Sequence, residues 1–473
     1  MKLTAFLPLA VVIAIACAFT APALAQSHDP AGIWLGELKV GAMVLRLQFN
    51  ITRKNDTAFS ATMDSPDQGA KGIPVGSVRL TGDSLILGMP ALLGKYSGVF
   101  RGDSIVDGIW HQAGRNFLLA LKRANAGVEV RRPQTPAPPF PYTSEEVTFR
   151  NEKENFSLAG TLTLPKGEGP FPGVVFISGS GPQDRDETIF NHKPFLVLAD
   201  HLTRNGIAVL RYDDRGVGES KGSSENARSD NLADDAAGAL AFLRARHEID
   251  TRRTGLLGHS EGGMIAPILA ARTKDVAFVV LLSGPGVPGD EILLRQGELI
   301  RRAEHVSEQQ IEAQTKIAKT LYSIIRSTPD TAAAYTKMME ALNMFADELP
   351  DSIRHSPDFS REQLSSSARS LNSPWFRYFL TYDPRPALRA LKIPVLALNG
   401  ELDLQVPASE NIAAIESALR EGGNTRVTTK IFPKLNHLFQ TSVTGSVSEY
   451  AKIEETMAPE VIDTITQWLL ALR

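Results

Sequence analysis

The sequence of 473 residues is poor in cysteine and has little excess charge of either sign, and each shortage narrows the possible class of protein. Cys17 is the only cysteine, so the chain cannot form an internal disulfide and must be stable through its hydrophobic core. The formal net charge is only −3, which gives no support for binding to nucleic acid. We interpret the charged pairs, such as Arg131 and Arg132, as solvated faces.

A long membrane-spanning run is also lacking. The apolar stretch over residues 5–19 is short for a span and holds a proline, and a lysine precedes it. An A-x-A pattern ends at Ala25, which is typical of signal cleavage. We therefore expect a signal peptide over residues 1–25, cut after Ala25, and a periplasmic or secreted protein. A membrane anchor or a lipoprotein on Cys17 fits less well, and cleavage would leave a net charge of −4.

A proline-rich stretch divides the rest of the chain. Five prolines lie between residues 133 and 141, so residues 124–142 are predicted to form an extended, semi-rigid linker. Before it, residues 29–123 alternate short apolar runs with turn signals, which predicts an all-β domain resembling a barrel or a sandwich. This domain could bind a lipid or a surface partner, or it could stabilise or oligomerise the protein. No cluster of polar ligands decides between these roles.

Residues 143–473 alternate strand-like and helix-like segments after an initial hairpin, which predicts an α/β fold with a mostly parallel sheet. The alternation stops over residues 285–385, which have helical periodicity and are predicted to form a lid. Its apolar faces, which include Met338 and Phe345, are expected to pack within the lid. The alternative is that these side chains line an acyl pocket.

Residues 258–262 read Gly-His-Ser-Glu-Gly, between a strand-like run and a helix-like run. This G-x-S-x-G pattern at a strand–turn–helix junction indicates a nucleophile elbow with Ser260 at its tip. The turn is tight and strains the serine backbone, so side chains on Gly258 and Gly262 would collide with the neighbouring strand and helix. His259 is expected to be a satisfied core histidine that points away from Ser260 into the packing between sheet and helix.

An acid and a histidine follow the elbow, each in a loop after a predicted strand. Asp403 follows the apolar run 393–400, and His437 follows the strand-like run 427–432. Parallel strands end at one edge of the sheet, so both side chains are expected to meet Ser260 there. Glu401 is the alternative acid, but the shorter Asp403 side chain suits a buried acceptor for an imidazole N–H.

An oxyanion hole needs two backbone N–H groups directed at the developing charge. The Glu261 N–H at the start of the elbow helix is the first candidate. The second is expected in the glycine-rich loop 178–187, which follows the apolar strand 173–177. Within this loop we favour the Ser180 N–H, with Gly181 as the alternative.

With these motifs, residues 143–473 resemble the α/β-hydrolase superfamily, in the branch of serine aminopeptidase-like (S33) hydrolases and bacterial carboxylesterases. Four segments in order carry the resemblance: residues 178–186, 212–220, 258–263 and 399–407. One position departs from the family pattern, because the oxyanion loop commonly opens with histidine and here opens with Ser178. A serine can still hold this loop by a hydrogen bond.

The resemblance implies acyl transfer to serine. His437 would take the proton of Ser260, Asp403 would orient and stabilise the imidazolium, and the two N–H groups would hold the oxyanion. This mechanism needs no metal or organic cofactor. The turn that contains Arg215 is expected to brace the edge of the sheet, which is a structural role.

The predicted function is therefore hydrolysis of carboxylic esters with small to medium acyl chains, and the predicted partner is a small-molecule ester. One alternative is a peptidase that releases N-terminal residues, in which Glu291 and Glu298 could hold the substrate amine. A second alternative is a catalytically idle protein whose β domain binds a ligand.

Overall fold

The computed structural model describes residues 28–40, 43–56, 58–112, 114–348 and 361–472. The predicted signal peptide and its cleavage site lie outside these residues. Within the described ranges, no helix is both long enough and apolar enough to span a membrane.

The N-terminal part forms one antiparallel sheet of nine strands. They are β1 (Gly32–Val40), β2 (Met43–Arg53), β3 (Phe59–Ser65), β4 (Ala70–Val75), β5 (Ser77–Thr81), β6 (Ser84–Met89), β7 (Gly94–Arg101), β8 (Ile105–Gln112) and β9 (Arg115–Ala124). The spatial order is β4-β3-β2-β1-β9-β8-β7-β6-β5. At the two ends, β5 contacts β3 and β4 contacts β6, so the sheet curls into a barrel.

The barrel has its own core. Alternate residues of its strands point inward, and the largest of these side chains, Trp34, Tyr96 and Trp110, are buried. The polar groups of two of these rings are hydrogen-bonded. The Trp34 indole N–H donates to the Pro30 carbonyl oxygen at 2.8 Å, and the Tyr96 hydroxyl donates to the Val106 carbonyl oxygen at 2.9 Å. The expectation of a small all-β unit resembling a barrel is confirmed.

The second sheet has eight strands in the described chain. They are β10 (Thr143–Asn151), β11 (Phe156–Leu164), β12 (Phe171–Ile177), β13 (Ala208–Tyr212), β14 (Ile249–His259), β15 (Val279–Leu282), β16 (Val395–Gly400) and β17 (Val427–Phe432). The order is β10-β11-β13-β12-β14-β15-β16-β17. The β10–β11 hairpin is antiparallel and joins β13 antiparallel, whereas all other neighbours are parallel.

Helices cover both faces of this sheet. They are α1 (Pro194–Arg204), α2 (Ser229–Arg244), α3 (Gly262–Arg272), α9 (Arg385–Ala390), α10 (Ala408–Glu421) and α12 (Pro459–Ala471), and the short α11 (Val447–Tyr450) contacts β2 of the barrel. Apolar side chains of α2, α3 and α10 form one core with the sheet, and those of α1 and α12 form a second core on its other face. The α/β-hydrolase architecture expected from the sequence is therefore confirmed.

The insertion between β15 and β16 is helical. It contains α4 (Gly289–Ala303), α5 (Glu308–Ser327), α6 (Thr331–Asp347), α7 (Arg361–Leu371) and α8 (Pro374–Thr381). Leu321 and Ile325 of α5 pack with Met338 and Leu342 of α6 in a core that belongs to the lid. The apolar face with Met338 thus serves lid packing, as the sequence favoured.

Arg215 joins three parts of the second domain. Its guanidinium lies 2.7 Å and 2.9 Å from the two carboxylate oxygens of Asp235 on α2, and it also bonds Glu154 in the β10–β11 hairpin. Arg215 is 3% exposed and Asp235 is 2% exposed. A bidentate pair with this burial fixes the hairpin, the turn after β13 and α2 relative to one another.

Replacing Arg215 by Met should lower the free energy of unfolding by about 3–5 kcal/mol, because it leaves the Asp235 carboxylate buried without a counter-charge. Urea denaturation measures the change. Arg252→Met is the matched control, since Arg252 is exposed beside Asp250 and should change stability by less than about 0.5 kcal/mol. The double variant Arg215→Met, Asp235→Leu should recover much of the loss. Equal midpoints for the two single variants would contradict the bracing role.

Candidate active site

Ser260 lies at the junction of β14 and α3, and its backbone has a conformation that residues other than glycine rarely adopt. Its φ is +54°, in the left-handed region. A Cβ atom on Gly258 would come within 2.0 Å of the Gly262 carbonyl oxygen, and one on Gly262 within 2.1 Å of the Ile177 carbonyl oxygen. The strain at the serine and the need for both glycines are as the sequence predicted.

The structure brings Ser260, His437 and Asp403 together in one hydrogen-bonded chain. Ser260 Oγ lies 3.1 Å from His437 Nε2, and His437 Nδ1 lies 2.8 Å from Asp403 Oδ2. A carboxylate only accepts, so the imidazole proton belongs on Nδ1 and Nε2 is free to accept from the serine hydroxyl. This geometry suits removal of the serine proton by a general base.

Asp403 is fixed by hydrogen bonds in the loop after β16. Its side chain is 2% exposed, and its Oδ1 accepts from the Gln405 and Val406 backbone N–H groups, each at 2.8 Å. Glu401, the alternative acid, is exposed and accepts from the Lys434 N–H at 3.1 Å instead. Asp403 therefore occupies the position beside the histidine.

The oxyanion loop between β12 and α1 is held from the turn after β13. Ser178 Oγ donates to Asp214 at 2.9 Å, and the Gln183 N–H donates to the other oxygen of the same carboxyl at 2.9 Å. Burial raises the pKa of Asp214 to about 8, although these two hydrogen bonds oppose the rise. Ser178 therefore holds the loop by a hydrogen bond, as expected where the family commonly has histidine.

The two residues predicted to supply the oxyanion hole lie at the same cavity as Ser260. Ser180 and Glu261 both line the cavity that contains the serine, whereas Gly181 lines a neighbouring one. Among the described residues, neither the Ser180 nor the Glu261 N–H donates to another protein group. The Gly179 N–H is engaged, because it donates to Glu187 at 2.7 Å. Ser180 and Glu261 stay the predicted pair.

The Glu261 side chain links the elbow helix to the lid. Its Oε1 accepts from Ser229 Oγ of α2 at 2.6 Å and from the Trp375 indole N–H of α8 at 2.8 Å. Burial raises the pKa of Glu261, and the hydrogen bonds from Ser229 and Trp375 only partly offset this rise. Sequence reasoning considered only the backbone N–H of this residue.

His259 is satisfied and buried, but its predicted orientation is wrong. Instead of entering the packing between sheet and helix, it lines the cavity beside Ser260. Its Nδ1 lies 2.9 Å from Glu187 Oε1, and its Nε2 lies 3.0 Å from the His437 carbonyl oxygen. Burial opposes protonation of the ring, but the Glu187 carboxylate outweighs it, so the pKa of His259 is raised. The hydrogen bonds to Glu187 and to the His437 carbonyl oxygen hold the His259 ring at the edge of the sheet.

The cavity at Ser260 has a volume of about 250 Å³ and mostly apolar walls. The lid contributes Ile292 and Leu293 from α4 and Trp375 and Phe379 from α8. Three amide side chains add polar groups: Gln183, Gln296 and Gln405. Sequence reasoning missed these lining residues, and the aromatic-rich run 375–379 was the only signal that could have indicated them.

The remaining candidates lie elsewhere. Glu291 is exposed on α4, and Glu298 pairs with Arg295 at 3.5 Å; neither lines the cavity at Ser260. In the part of the chain that the structure describes, no three His, Cys, Asp or Glu side chains are grouped as a metal site requires.

Asp403→Asn should lower kcat for an acyl substrate of this site by about 10⁴-fold, because the amide no longer fixes the Nδ1–H tautomer of His437. Glu401→Gln is the matched control and should leave kcat within about twofold, since the Glu401 carboxylate accepts from the Lys434 N–H and does not line the cavity at Ser260. The kcat values of the two variants, measured by steady-state kinetics, show which acid supports His437. A large loss in Glu401→Gln with activity retained in Asp403→Asn would reverse the assignment.

Several known proteins are similar to this chain. The family model described as serine aminopeptidase, S33 matches residues 193–349, which include Ser260. Esterase EstD of Thermotoga maritima is 30% identical over 317 residues, which cover 66% of this chain and 65% of the esterase. Acyl-coenzyme A thioesterase 1 of Rattus norvegicus is 29% identical over 129 residues, or 27% of each chain. The chain thus covers just under two thirds of the Thermotoga protein and about a quarter of the thioesterase.

Among solved structures, the Pyrococcus furiosus esterase Pf2001 aligns with a TM-score of 0.42 and 15% identity. The alignment covers 74% of this chain and 99% of the other.

Proposed function

We propose that the chain is a serine hydrolase of the α/β-hydrolase superfamily that cleaves carboxylic esters with small to medium acyl chains. One observation carries the proposal: Asp403, His437 and Ser260 form a hydrogen-bonded chain that ends in a cavity. Similarity to a protein named as an esterase supports the ester bond as its target.

In the proposed reaction, Ser260 Oγ attacks the ester carbonyl carbon while His437 Nε2 takes the hydroxyl proton. Asp403 stabilises the resulting imidazolium, and the Ser180 and Glu261 N–H groups hold the oxyanion. The C–O bond then breaks, and His437 gives its proton to the leaving alcohol. Water repeats the attack on the acyl-enzyme and releases the acid and free Ser260.

The size and chemistry of the cavity support an acyl chain of limited length. A volume of about 250 Å³ is at the small end for a ligand site, and Ile292, Leu293 and Phe379 supply an apolar wall. These side chains come from the lid, so the lid would select the acyl group while the sheet edge performs the chemistry.

A peptidase that releases N-terminal residues is the second candidate, and the match to the serine aminopeptidase family favours it. It requires a carboxylate that holds the substrate amine, and Glu291 and Glu298 lie outside the wall of the cavity. An idle ligand-binding protein is the third candidate. The intact hydrogen bonds of Ser260 and His437 argue against it.

The chain from residue 26 should hydrolyse p-nitrophenyl esters with a rate that peaks at one short or medium acyl length. Ser260→Ala should lower turnover by about 10⁴- to 10⁶-fold, because the nucleophile is removed. Ser370→Ala is the matched control, because Ser370 is exposed on α7, and this variant should retain full activity. Initial rates across the acyl series, with aminoacyl p-nitroanilides in parallel, test the proposal.

Turnover of the anilides with little preference for esters would favour the peptidase. Turnover of neither set, together with a Ser260 that resists a fluorophosphonate label, would favour the idle binding protein.

We also propose export with cleavage after Ala25, on the basis of the A-x-A pattern. The chain recovered from the periplasm or medium should begin at Gln26, as read by N-terminal sequencing. Ala25→Arg should accumulate as the uncut precursor, because the cleavage site requires a small residue. An intact Met1 on a cytoplasmic product would contradict export.

A further inference from the structure

Glu187 connects two loops of the candidate active site through one carboxylate oxygen. Its Oε1 accepts from the Gly179 N–H at 2.7 Å and from His259 Nδ1 at 2.9 Å, and the residue is 4% exposed. Gly179 precedes Ser180, the proposed oxyanion donor, and His259 precedes Ser260. One carboxylate is therefore bonded next to both the nucleophile and the oxyanion loop.

His259 extends this connection to the histidine loop. Its Nε2 lies 3.0 Å from the His437 carbonyl oxygen, which can only accept, so Nε2 carries a proton. Its Nδ1 faces the Glu187 carboxylate, so this nitrogen carries a proton as well. The ring is then an imidazolium whose charge Glu187 balances inside the protein. Without the Glu187 carboxylate, His259 Nδ1 has no acceptor and the buried positive charge has no counter-charge, so the ring is no longer held in this position.

The backbone that carries Glu187 is strained. Glu187, Phe190 and Asn191 have φ values of 52°, 50° and 63°, so three non-glycine residues out of five lie in the left-handed region. Such conformations persist only where the surrounding structure holds them, and they cluster at functional sites.

The N-terminal barrel supplies much of that support. Asn191 Nδ2 donates to the Pro66 carbonyl oxygen at 2.5 Å, and the Phe190 side chain packs against the barrel core. The Phe190 carbonyl oxygen accepts from the Arg132 guanidinium of the linker at 2.8 Å. Arg132 also donates to the Ala451 carbonyl oxygen at 2.9 Å, so it ties the strained segment to the loop before α12.

We propose that Glu187 is a positioning residue for the acyl-transfer site and that the N-terminal barrel holds it in place. This inference rests on the proposed function. Glu187 acts through Gly179 and His259, which set the oxyanion loop and the His437 loop around Ser260. The barrel thereby acquires a role in the geometry of the reaction.

The first test is Glu187→Gln, assayed on the best p-nitrophenyl ester. The amide can still accept from Gly179 but cannot balance the charge of His259, so the catalytic loops should shift by fractions of an ångström. We expect kcat to fall by roughly 10- to 100-fold, because misplacement on this scale costs that much. KM should stay within about twofold, since the apolar walls of the cavity are unchanged. Glu187→Asp, which keeps the charge, should lose less.

The second test addresses the barrel. Asn191→Gly keeps the left-handed φ without strain and removes only the bond to Pro66. Arg132→Met removes the bonds to Phe190, Ala451 and Ile453. Each should lower kcat by about three- to tenfold with KM unchanged, and should add little in a Glu187→Gln background. Arg101→Met, on the exposed face of β7, is the control and should have wild-type kcat.

The rate of Ser260 labelling by a fluorophosphonate gives a second readout of the same geometry, and thermal unfolding shows which variants are folded. Folded Glu187→Gln with wild-type kcat and labelling rate would overturn the positioning role, as would a raised KM at unchanged kcat. Should Glu187→Gln not fold, the Glu187→Asp and Asn191→Gly labelling rates decide in the same way.

Loss of activity in Glu187→Gln with full activity in both interface variants would overturn the role of the barrel. Failure of the proposed function has a different signature, because the wild-type chain would then turn over no ester. If Ser260 of the wild-type chain still reacts with the fluorophosphonate, the labelling rates decide the positioning role. A wild-type Ser260 that resists the label overturns the positioning role together with the proposed function.

Discussion

The close approach of β12, β14 and α3 around Ser260 is the constraint on which the rest of the structure depends. Backbone atoms pass so near one another that Gly258 and Gly262 have no room for a side chain, and Ser260 takes a left-handed conformation. A serine held this way projects its hydroxyl beyond the edge of the sheet instead of into the core. Every other element of the site must then be brought to that one point.

Buried carboxyl groups do much of that work. Asp403 holds the His437 ring, Asp214 bonds Ser178 and Gln183 of the loop after β12, and Glu187 with His259 spans the gap between loops. Each buried carboxyl is desolvated, and the resulting cost is offset only where donors are aimed at it. A network of this kind tolerates few arrangements, so it gives the loops a definite shape that apolar packing alone would not specify.

Two additions to the sheet then limit and support the site. The lid packs mainly on its own core, but α4 and α8 turn apolar side chains toward the serine, and Trp375 bonds Glu261 beside it. The barrel contacts Phe190 and Asn191 of the strained segment that carries Glu187. The wall of the cavity and the support of the loops thus come from different parts of the chain.

Local pattern by itself determined the sheet, the elbow, and the identities of Ser260, Asp403 and His437, because strand periodicity and tight-turn chemistry depend on neighbouring residues. Only the tertiary structure decided what lies around them. Glu187 and His259 are 72 residues apart, and Trp375 reaches Glu261 from 114 residues away, so no local signal marks either pair. Such contacts depend on how the loops at the sheet edge, the lid and the barrel pack together, and the orientation of His259 was mistaken for the same reason.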